Sequence, residues 1–285
     1  MIDIQDVHKQ FTTRTGAGLF KRGRKSVVHA VQGVSVTAAN GRITGLLGAN
    51  GAGKTTTLRM LAGLLAPDSG HIAVDGIVVG SRESAMGRPE PAQPPRGVGG
   101  ATRRTGGTLA ALARMGILGD AHGLYPRLSA RENIAYFGRL QGMELDAANA
   151  RAEELARLLE MQSILDRRAE GFSQGERMKT ALARALVHDP ANIVLDEPTN
   201  GLDVLATRAL REALRWLRSP EGGSKCIVFS THIMQEVEQL CDEVVIVSHG
   251  RSVAHGNVPA LLELAGEQRF EDAFVKLAFP EEIAA

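Results

Sequence analysis

The chain has few cysteines, few aromatic residues and no long hydrophobic run. Its two cysteines, Cys226 and Cys241, form no ligand or disulfide pattern, which fits a reducing cytoplasm. Aromatic residues make up only 4% of the sequence, which argues against a platform for stacked nucleic-acid bases. The apolar runs are too short for a membrane-spanning helix, and the start lacks the basic and apolar regions of a signal peptide. We therefore expect a cytoplasmic protein without a spanning segment of its own.

An excess of one charge sign is also missing. The net charge is +1, so no overall field drives binding to nucleic acid or to an anionic membrane, and we expect no nucleic-acid partner. Hydrophobic residues account for 44% of the 285 residues, which is enough for a sizeable core. This length suits one large domain or a domain with a subdomain.

A complete phosphate-binding loop, G-x-x-x-x-G-K-T, lies between the apolar run 43–47 and a helix-forming stretch at 56–64. Glycines let the backbone approach a triphosphate, so that its N–H groups and the helix N-terminus face the phosphates. We expect Lys54 to reach the β- and γ-phosphates of ATP and Thr55 to ligate Mg²⁺. A glycine-rich turn without nucleotide is the alternative. The predicted nucleotide-binding residues here are Gly48, Asn50, Gly51, Ala52, Gly53, Lys54, Thr55 and Thr56.

Further candidate residues follow two apolar strands. A strand at 193–196 ends in Asp196 and Glu197, and strand ends deliver side chains to the crevice where ligands bind in parallel sheets. We expect Asp196 to hold Mg²⁺ through its water shell and Glu197 to polarise the water that attacks the γ-phosphate. His232 follows the next strand, 226–230. A histidine at a strand end is by default a surface or packing residue, but this position would reach the same crevice and act in catalysis.

Hydrophobic periodicity predicts an α/β fold. Strands alternate with helices from 193 to 248, which implies a parallel sheet covered on both faces. Strands at 2–7 and 31–36 and a hairpin at 71–79 predict an antiparallel β subdomain. Capping boxes at Ser129 and Ser173 begin helices of an all-helical insert at about 128–190. The predicted architecture is a P-loop NTPase core with a mixed, largely parallel sheet, an antiparallel β subdomain and a helical subdomain.

Two segments fit no regular element. Residues 12–29 are rich in glycine and basic residues, which predicts a solvated loop, with contact to anionic lipid headgroups as the alternative. In 87–107, fourteen of twenty-one residues are Gly, Pro or Arg, and no apolar period is present. We expect this insert to be disordered, either as a solvated excursion or through a disturbance of the gene sequence.

The stretch Phe172 to Glu176, Phe-Ser-Gln-Gly-Glu, resembles the signature motif of the ATP-binding cassette (ABC) family, whose usual form is Leu-Ser-Gly-Gly-Gln. Phosphate loop, signature, Leu-Asp-Glu strand, the turn 200–203 and His232 follow one another in the family's order. The resemblance covers nearly the whole chain, with a cassette at 1–256 and a C-terminal helical extension at 257–285. Finer similarity to the NatA-like sodium-exporter type, whose ATPases pair with ABC-2 class permeases, is carried by 123–128, 130–134, 172–179 and 200–203.

The resemblance implies a head-to-tail pair of cassettes, with each ATP between the phosphate loop of one copy and the signature helix of the other. The residues that it assigns to the facing nucleotide are Ser173, Gln174, Gly175, Glu176 and Asp203. Phe11 stands where an aromatic residue stacks on adenine, and a core position is the equal alternative. Asp120 stands where most cassettes carry glutamine, and it is assigned to nucleotide and Mg²⁺ although it is shorter and charged.

The implied function is an ATPase subunit at the inner face of the cell membrane, which drives transport by a separate ABC-2 type permease. The finer similarity suggests Na⁺ efflux. A non-transport cassette protein of DNA repair, translation or cluster assembly is the alternative, and the single signature and absence of sustained heptads count against it. A small P-loop kinase or GTPase would leave the signature and the Asp196–Glu197 pair unexplained.

Overall fold

The computed structural model describes residues 1–15, 24–79, 106–119 and 123–280. Asp120 lies outside these residues, and its assigned role stays a prediction. Residues 87–105 of the insert predicted to be disordered also lie outside the described residues. The last two residues of that insert, Gly106 and Gly107, begin a helix, so the prediction of disorder was wrong for them.

The strands are β1 (Ile2–Thr15), β2 (Arg24–Ala38), β3 (Ile43–Leu47), β4 (Ser69–Val74), β5 (Ile77–Val78), β6 (Met115–Leu118), β7 (Asn192–Asp196), β8 (Cys226–Thr231), β9 (Glu243–Ser248) and β10 (Arg251–Gly256). The α-helices are α1 (Lys54–Leu61), α2 (Gly106–Leu112), α3 (Ala130–Leu140), α4 (Leu145–Leu158), α5 (Gln174–Leu186), α6 (Val204–Arg218), α7 (Met234–Leu240), α8 (Val258–Ala265) and α9 (Phe270–Ala278). Short 3₁₀ turns lie at Gln162–Ile164 and Ala169–Gly171.

A mixed sheet forms the centre of the described chain, with the strand order β10-β9-β3-β8-β7-β6. All of its neighbouring strands are parallel except β10, which runs antiparallel to β9. The predicted parallel core is therefore confirmed. Because β3, β7 and β8 are adjacent and parallel, their carboxyl ends share one edge, where Leu47 pairs with Thr231 and Asp196 pairs with Ser230.

The antiparallel sheet has the order β2-β1-β4-β5. The prediction of a loop at 12–29 was wrong at 12–15 and 24–29, because β1 extends to Thr15 and β2 begins at Arg24, and its middle part, 16–23, lies outside the described residues. Thr12 pairs with Val27, and Val27 and Val28 remain about half exposed. At 11–12 and 26–29 the two strands pair while their side chains stay exposed, so the alternation that identifies a half-buried strand is missing here.

The helical subdomain packs through Ile134 of α3, Leu155 of α4 and Leu182 of α5, which share one buried cluster. Both predicted capping boxes are present. The Ser129 hydroxyl accepts the Glu132 N–H at 3.1 Å, and the Glu132 carboxylate accepts the Ser129 N–H at 2.7 Å. Ser173 and Glu176 make the same pair of bonds at the start of α5, at 3.2 and 2.8 Å. These bonds fix where the signature helix begins.

Protonation of the capping carboxylates in acid should lower the free energy of unfolding. The Ser129 N–H holds the pKa of Glu132 below its usual range. A pKa that is lower in the folded state contributes stability above the unfolded pKa, and this stability disappears as the pH falls through the folded pKa. Glu132→Gln keeps an acceptor but does not titrate, so its thermal midpoint should fall less than that of the wild type between about pH 6 and pH 3. Glu263→Gln, on an exposed position of α8, serves as the control, and equal slopes for all three proteins would refute the assignment.

The C-terminal helices pack on the core. Phe270 and Phe274 of α9 share a buried cluster with Val244 and Ile246 of β9. The buried Ser248 hydroxyl donates to the Ala278 carbonyl at 2.7 Å. In the ranges that the structure describes, no helix combines the length and the apolar character needed to cross a membrane.

Candidate active site

The phosphate loop connects β3 to α1 and surrounds a buried ammonium group. Lys54 is 4% exposed, and its Nζ donates to the carbonyls of Gly48 at 2.8 Å and Ala49 at 3.1 Å. Burial lowers the pKa of Lys54, while the carboxylates of Glu197 and Asp196 oppose that effect. The cation is thus held by weak carbonyl acceptors, which phosphate oxygens would replace with stronger, charge-assisted bonds.

Two glycines of the loop are required by close approach of the backbone. A Cβ on Gly53 would lie 2.6 Å from the Ala30 carbonyl oxygen, and the φ of Gly53 is +104°. A Cβ on Gly48 would collide with the Val247 carbonyl oxygen. Gly51 also has a positive φ, but no atom would obstruct its Cβ. The loop therefore lies against β2 and β9 in a shape that only glycine allows at these positions.

Asp196 and Thr55 form an oxygen-rich corner next to the loop. The Thr55 hydroxyl lies 3.2 Å from an Asp196 carboxylate oxygen, and the Ser230 hydroxyl donates to the same oxygen. No cluster of three or more His, Cys, Asp or Glu side chains that could hold a metal occurs among the described residues. This donor set fits Mg²⁺, which proteins usually hold with one or two carboxylates together with waters and substrate phosphates.

Glu197 joins the loop to His232. Its carboxylate oxygen lies 3.3 Å from His232 Nδ1 and 3.8 Å from Lys54 Nζ. Its backbone has a φ of +45°, and its N–H donates to the carbonyl and the hydroxyl of Ser230. A left-handed conformation at a non-glycine residue is strained and is common at functional sites. The structure thus places the predicted base, the loop lysine and the predicted histidine at one point.

A cavity of about 160 Å³ lies at this point. It is lined by Ala30, Asn50, Gly51, Gly53, Lys54, Thr55, Thr56 and Glu197. The remaining predicted loop residues, Gly48 and Ala52, do not line the cavity but attach the loop to its neighbours. The Gly48 N–H donates to the Thr231 carbonyl, and the Ala52 carbonyl accepts the Gly250 N–H.

The signature residues lie at a different cavity. Ser173, Gly175, Glu176 and Asp203 line a space of about 240 Å³ that shares no lining residue with the phosphate-loop cavity. Gln174 turns aside and donates to the Asn200 carbonyl at 2.9 Å. Within one copy of the chain, the two groups of predicted nucleotide contacts are therefore not brought together.

Phe11 is 37% exposed, so it does not occupy the core. It pairs with Val28 of β2, two residues before the cavity-lining Ala30, and the Lys9 ammonium lies 5.9 Å from the centre of its ring. An exposed ring at this place is available for stacking. The role of Phe11 toward adenine stays a prediction.

Three residues of the site were missed in the sequence. Ser230 bonds to both Asp196 and Glu197, and its position two residues before His232 was a signal that could have identified it. Ala30 lines the cavity and Gly250 supports the loop, yet both depend on strands that meet only in the folded chain. No local pattern marks them.

The fold and the site together define an ATP-binding cassette. A family model described as ABC transporter matches residues 31–200, and the chain belongs to this family. The predicted fold class, family and ATPase activity are confirmed, and the chain binds ATP as a member of the family.

Two curated relatives cover most of the chain. The ABC transporter ATP-binding protein NatA of Bacillus subtilis is 39% identical over 273 residues, which span 95% of this chain and 94% of the relative. The Nod factor export ATP-binding protein I of Burkholderia lata is 37% identical over 262 residues, spanning 92% of this chain and 72% of the relative.

Two solved structures share the fold. The ATP-binding subunit of an ABC transporter superposes with a TM-score of 0.73 at 23% identity, covering 97% of this chain and 99% of the other. A dimeric cassette in a post-hydrolysis state, bound to ADP and Pi, superposes with a TM-score of 0.70 at 21% identity, covering 90% and 98%.

Proposed function

We propose that this chain is the ATP-hydrolysing subunit of an ABC exporter and works as a head-to-tail dimer with a separate ABC-2 type permease at the inner face of the cell membrane. The contact of Glu197 with both His232 and Lys54 in the phosphate-loop cavity carries the hydrolytic part of this proposal. The exporter part rests on the relatives, of which one is named as a Nod factor export protein.

The roles in hydrolysis follow from the contacts. Lys54 binds the γ-phosphate through its buried ammonium group, and Glu197 accepts a proton from the attacking water. His232 lies against Glu197 and orients it or the γ-phosphate. Thr55 and Asp196 would hold Mg²⁺ together with phosphate oxygens, and the ion supplies positive charge that offsets the charge on the phosphates.

The two separate cavities favour a dimer. The signature cavity and the phosphate-loop cavity of one copy share no lining residue. A second copy in inverted orientation would place its signature residues at the ATP of the first copy and its own ATP at the signature residues of the first copy. The N-terminus of α5, capped by Ser173, offers N–H groups to a phosphate. Val204 and Leu205, next to Asp203, are 84% and 78% exposed, and pairing would cover this apolar surface.

Mixing two inactive variants tests the head-to-tail arrangement. Lys54→Ala removes the ammonium group of the phosphate loop, and Gly175→Asp places a negative charge at the signature. In a mixed dimer both defects fall in the same site, because each site combines the loop of one copy with the signature of the other. The second site is then intact, so ATPase activity should reappear on mixing, up to about a quarter of the wild-type rate, since half of the dimers are mixed and each has one working site.

The control is a mixture with the double variant, Lys54→Ala with Gly175→Asp in one chain. Paired with wild type, it yields dimers with a defect in each site, so at a 1:1 ratio the ATPase activity per wild-type chain should fall to about half. Failure of the two single variants to restore activity would refute shared sites, while wild-type ATPase activity by itself would still stand.

The permease and Na⁺ cargo need a transport measurement. Na⁺ efflux should rise in cells that express the chain together with its cognate permease, and Lys54→Ala should remove this rise. Efflux that is unchanged by Lys54→Ala would reject Na⁺ as the cargo, and no permease on co-purification would reject the transport role.

A further inference from the structure

Helix α7 carries a carboxylate in the protein interior. Glu236 is 2% exposed, and its Oε2 accepts a hydrogen bond from the Thr231 hydroxyl at 2.8 Å. In the part of the chain that the structure describes, no lysine, arginine or histidine forms an ion pair with it. A buried carboxylate without a cation is costly, and glutamate is rarely fully buried unless it is paired. The position of Glu236 therefore calls for a specific role.

The Thr231 hydroxyl links Glu236 to the turn that carries His232. The hydroxyl donates to Glu236 and accepts the Ile233 N–H at 3.0 Å. The second of these bonds joins Thr231 to the residue that follows His232. The Thr231 carbonyl also accepts the N–H of Gly48, the first residue of the phosphate loop, at 3.3 Å. Thr231 is thus held on three sides, by α7, by the turn and by the loop.

His232 itself has little packing to hold it. Its side chain is 41% exposed, and its Nδ1 lies 3.3 Å from Glu197. The direction of an exposed ring depends mainly on the backbone that carries it, and here that backbone is fixed by the Thr231 hydroxyl. Because the hydroxyl can rotate, its orientation depends on the acceptor to which its hydrogen points, and that acceptor is Glu236.

We propose that Glu236 is a positioning residue for ATP hydrolysis. Its carboxylate orients the Thr231 hydroxyl, and the hydroxyl holds the 231–233 turn so that His232 faces Glu197. This inference rests on the proposed function, in which Glu197 and His232 act on the same nucleotide. Glu236 is not among the residues that line the phosphate-loop cavity, and it acts through Thr231 and His232.

The first test separates kcat from KM. Glu236→Ala should lower kcat about tenfold and leave the KM for ATP within about twofold of the wild type, since the phosphate loop keeps its own contacts. Glu236→Gln keeps an acceptor at the same reach and should restore most of kcat. Glu238→Ala, at an exposed position of the same helix, is the matched control and should behave as wild type.

The hydroxyl provides a second, independent arm. Thr231→Val removes the hydroxyl and should lower kcat as Glu236→Ala does, whereas Thr231→Ser keeps it and should not. This pair carries the test if Glu236→Ala fails to fold. Equal kcat for Thr231→Val and Thr231→Ser would overturn the proposal.

The decisive measurement combines Glu236→Ala with His232→Ala. If Glu236 acts through His232, the double variant should be no slower than His232→Ala alone, because the losses of residues that act as one unit do not add. Multiplied losses overturn the positioning role and leave the proposed function intact. A wild-type kcat for His232→Ala rejects the catalytic role of His232 and with it the positioning role of Glu236.

Discussion

Glu197→Gln should bind ATP normally and hydrolyse it about 10²–10⁴-fold more slowly, the range that general-base catalysis contributes. Glutamine has nearly the same shape and keeps an oxygen near His232 and Lys54, but it cannot accept the proton of the attacking water. The phosphate loop and the signature are unchanged, so binding and pairing remain. We therefore expect a dimer that persists with ATP, detected by size-exclusion chromatography, together with slow phosphate release.

The control for this variant is Glu271→Gln, which removes an exposed carboxylate that pairs with Arg269. It should turn over as wild type and form no lasting dimer. Normal hydrolysis by Glu197→Gln would remove Glu197 from the role of base. Slow hydrolysis without any ATP-dependent dimer would preserve that role and count against the pairing of two copies.

Lys54→Ala should abolish turnover and weaken ATP binding about 10- to 150-fold, which corresponds to the 1.5–3 kcal/mol of a hydrogen bond to a charged group. No other lysine or arginine lines the phosphate-loop cavity within the described residues, so none replaces the lost charge. The variant should still fold, because removing the buried ammonium group removes its desolvation cost, and its partner Glu197 is partly exposed to solvent. Nucleotide affinity by calorimetry and phosphate release measure the two effects.

Lys276→Ala is the matched control for the loss of a lysine. Lys276 is half exposed and pairs with Glu267 at 3.0 Å on the surface of the C-terminal helices. It should keep wild-type affinity and turnover, since exposed ion pairs contribute little. Wild-type turnover by Lys54→Ala would refute the assignment of the loop lysine to the γ-phosphate.

The site depends on an arrangement that spans three strands. The phosphate loop follows β3, Asp196 and Glu197 follow β7, and Ser230 to His232 follow β8. Ser230 connects the second and third of these groups, and Thr231 connects the third to the first. These bonds connect the three strand ends, so we expect residues without a direct role in hydrolysis, such as Glu236, to change its rate.

The sequence by itself determined the phosphate loop, the strand that ends in Asp196 and Glu197, both capping boxes and the boundaries of several elements. The strands predicted at 193–196 and 226–230 differ from β7 and β8 by one residue at one end. These features are local, because a glycine pattern, a capping pair or an apolar period determines the backbone structure within a few residues of itself. The same locality made His232 recognisable, because it directly follows an apolar strand.

Only the tertiary structure decided how the separate pieces meet. The extension of β1 and β2 through 12–15 and 24–29, the exposure of Phe11, the part played by Ala30 and Gly250, and the burial of Glu236 all depend on partners that are far away in sequence. The pattern of apolar and polar side chains predicts which face of an element is buried. It does not predict which backbone groups pair across a sheet or which carboxylate lies beneath a turn. Contacts over long sequence distances are set by the packing of whole elements, and no short window of residues contains that information.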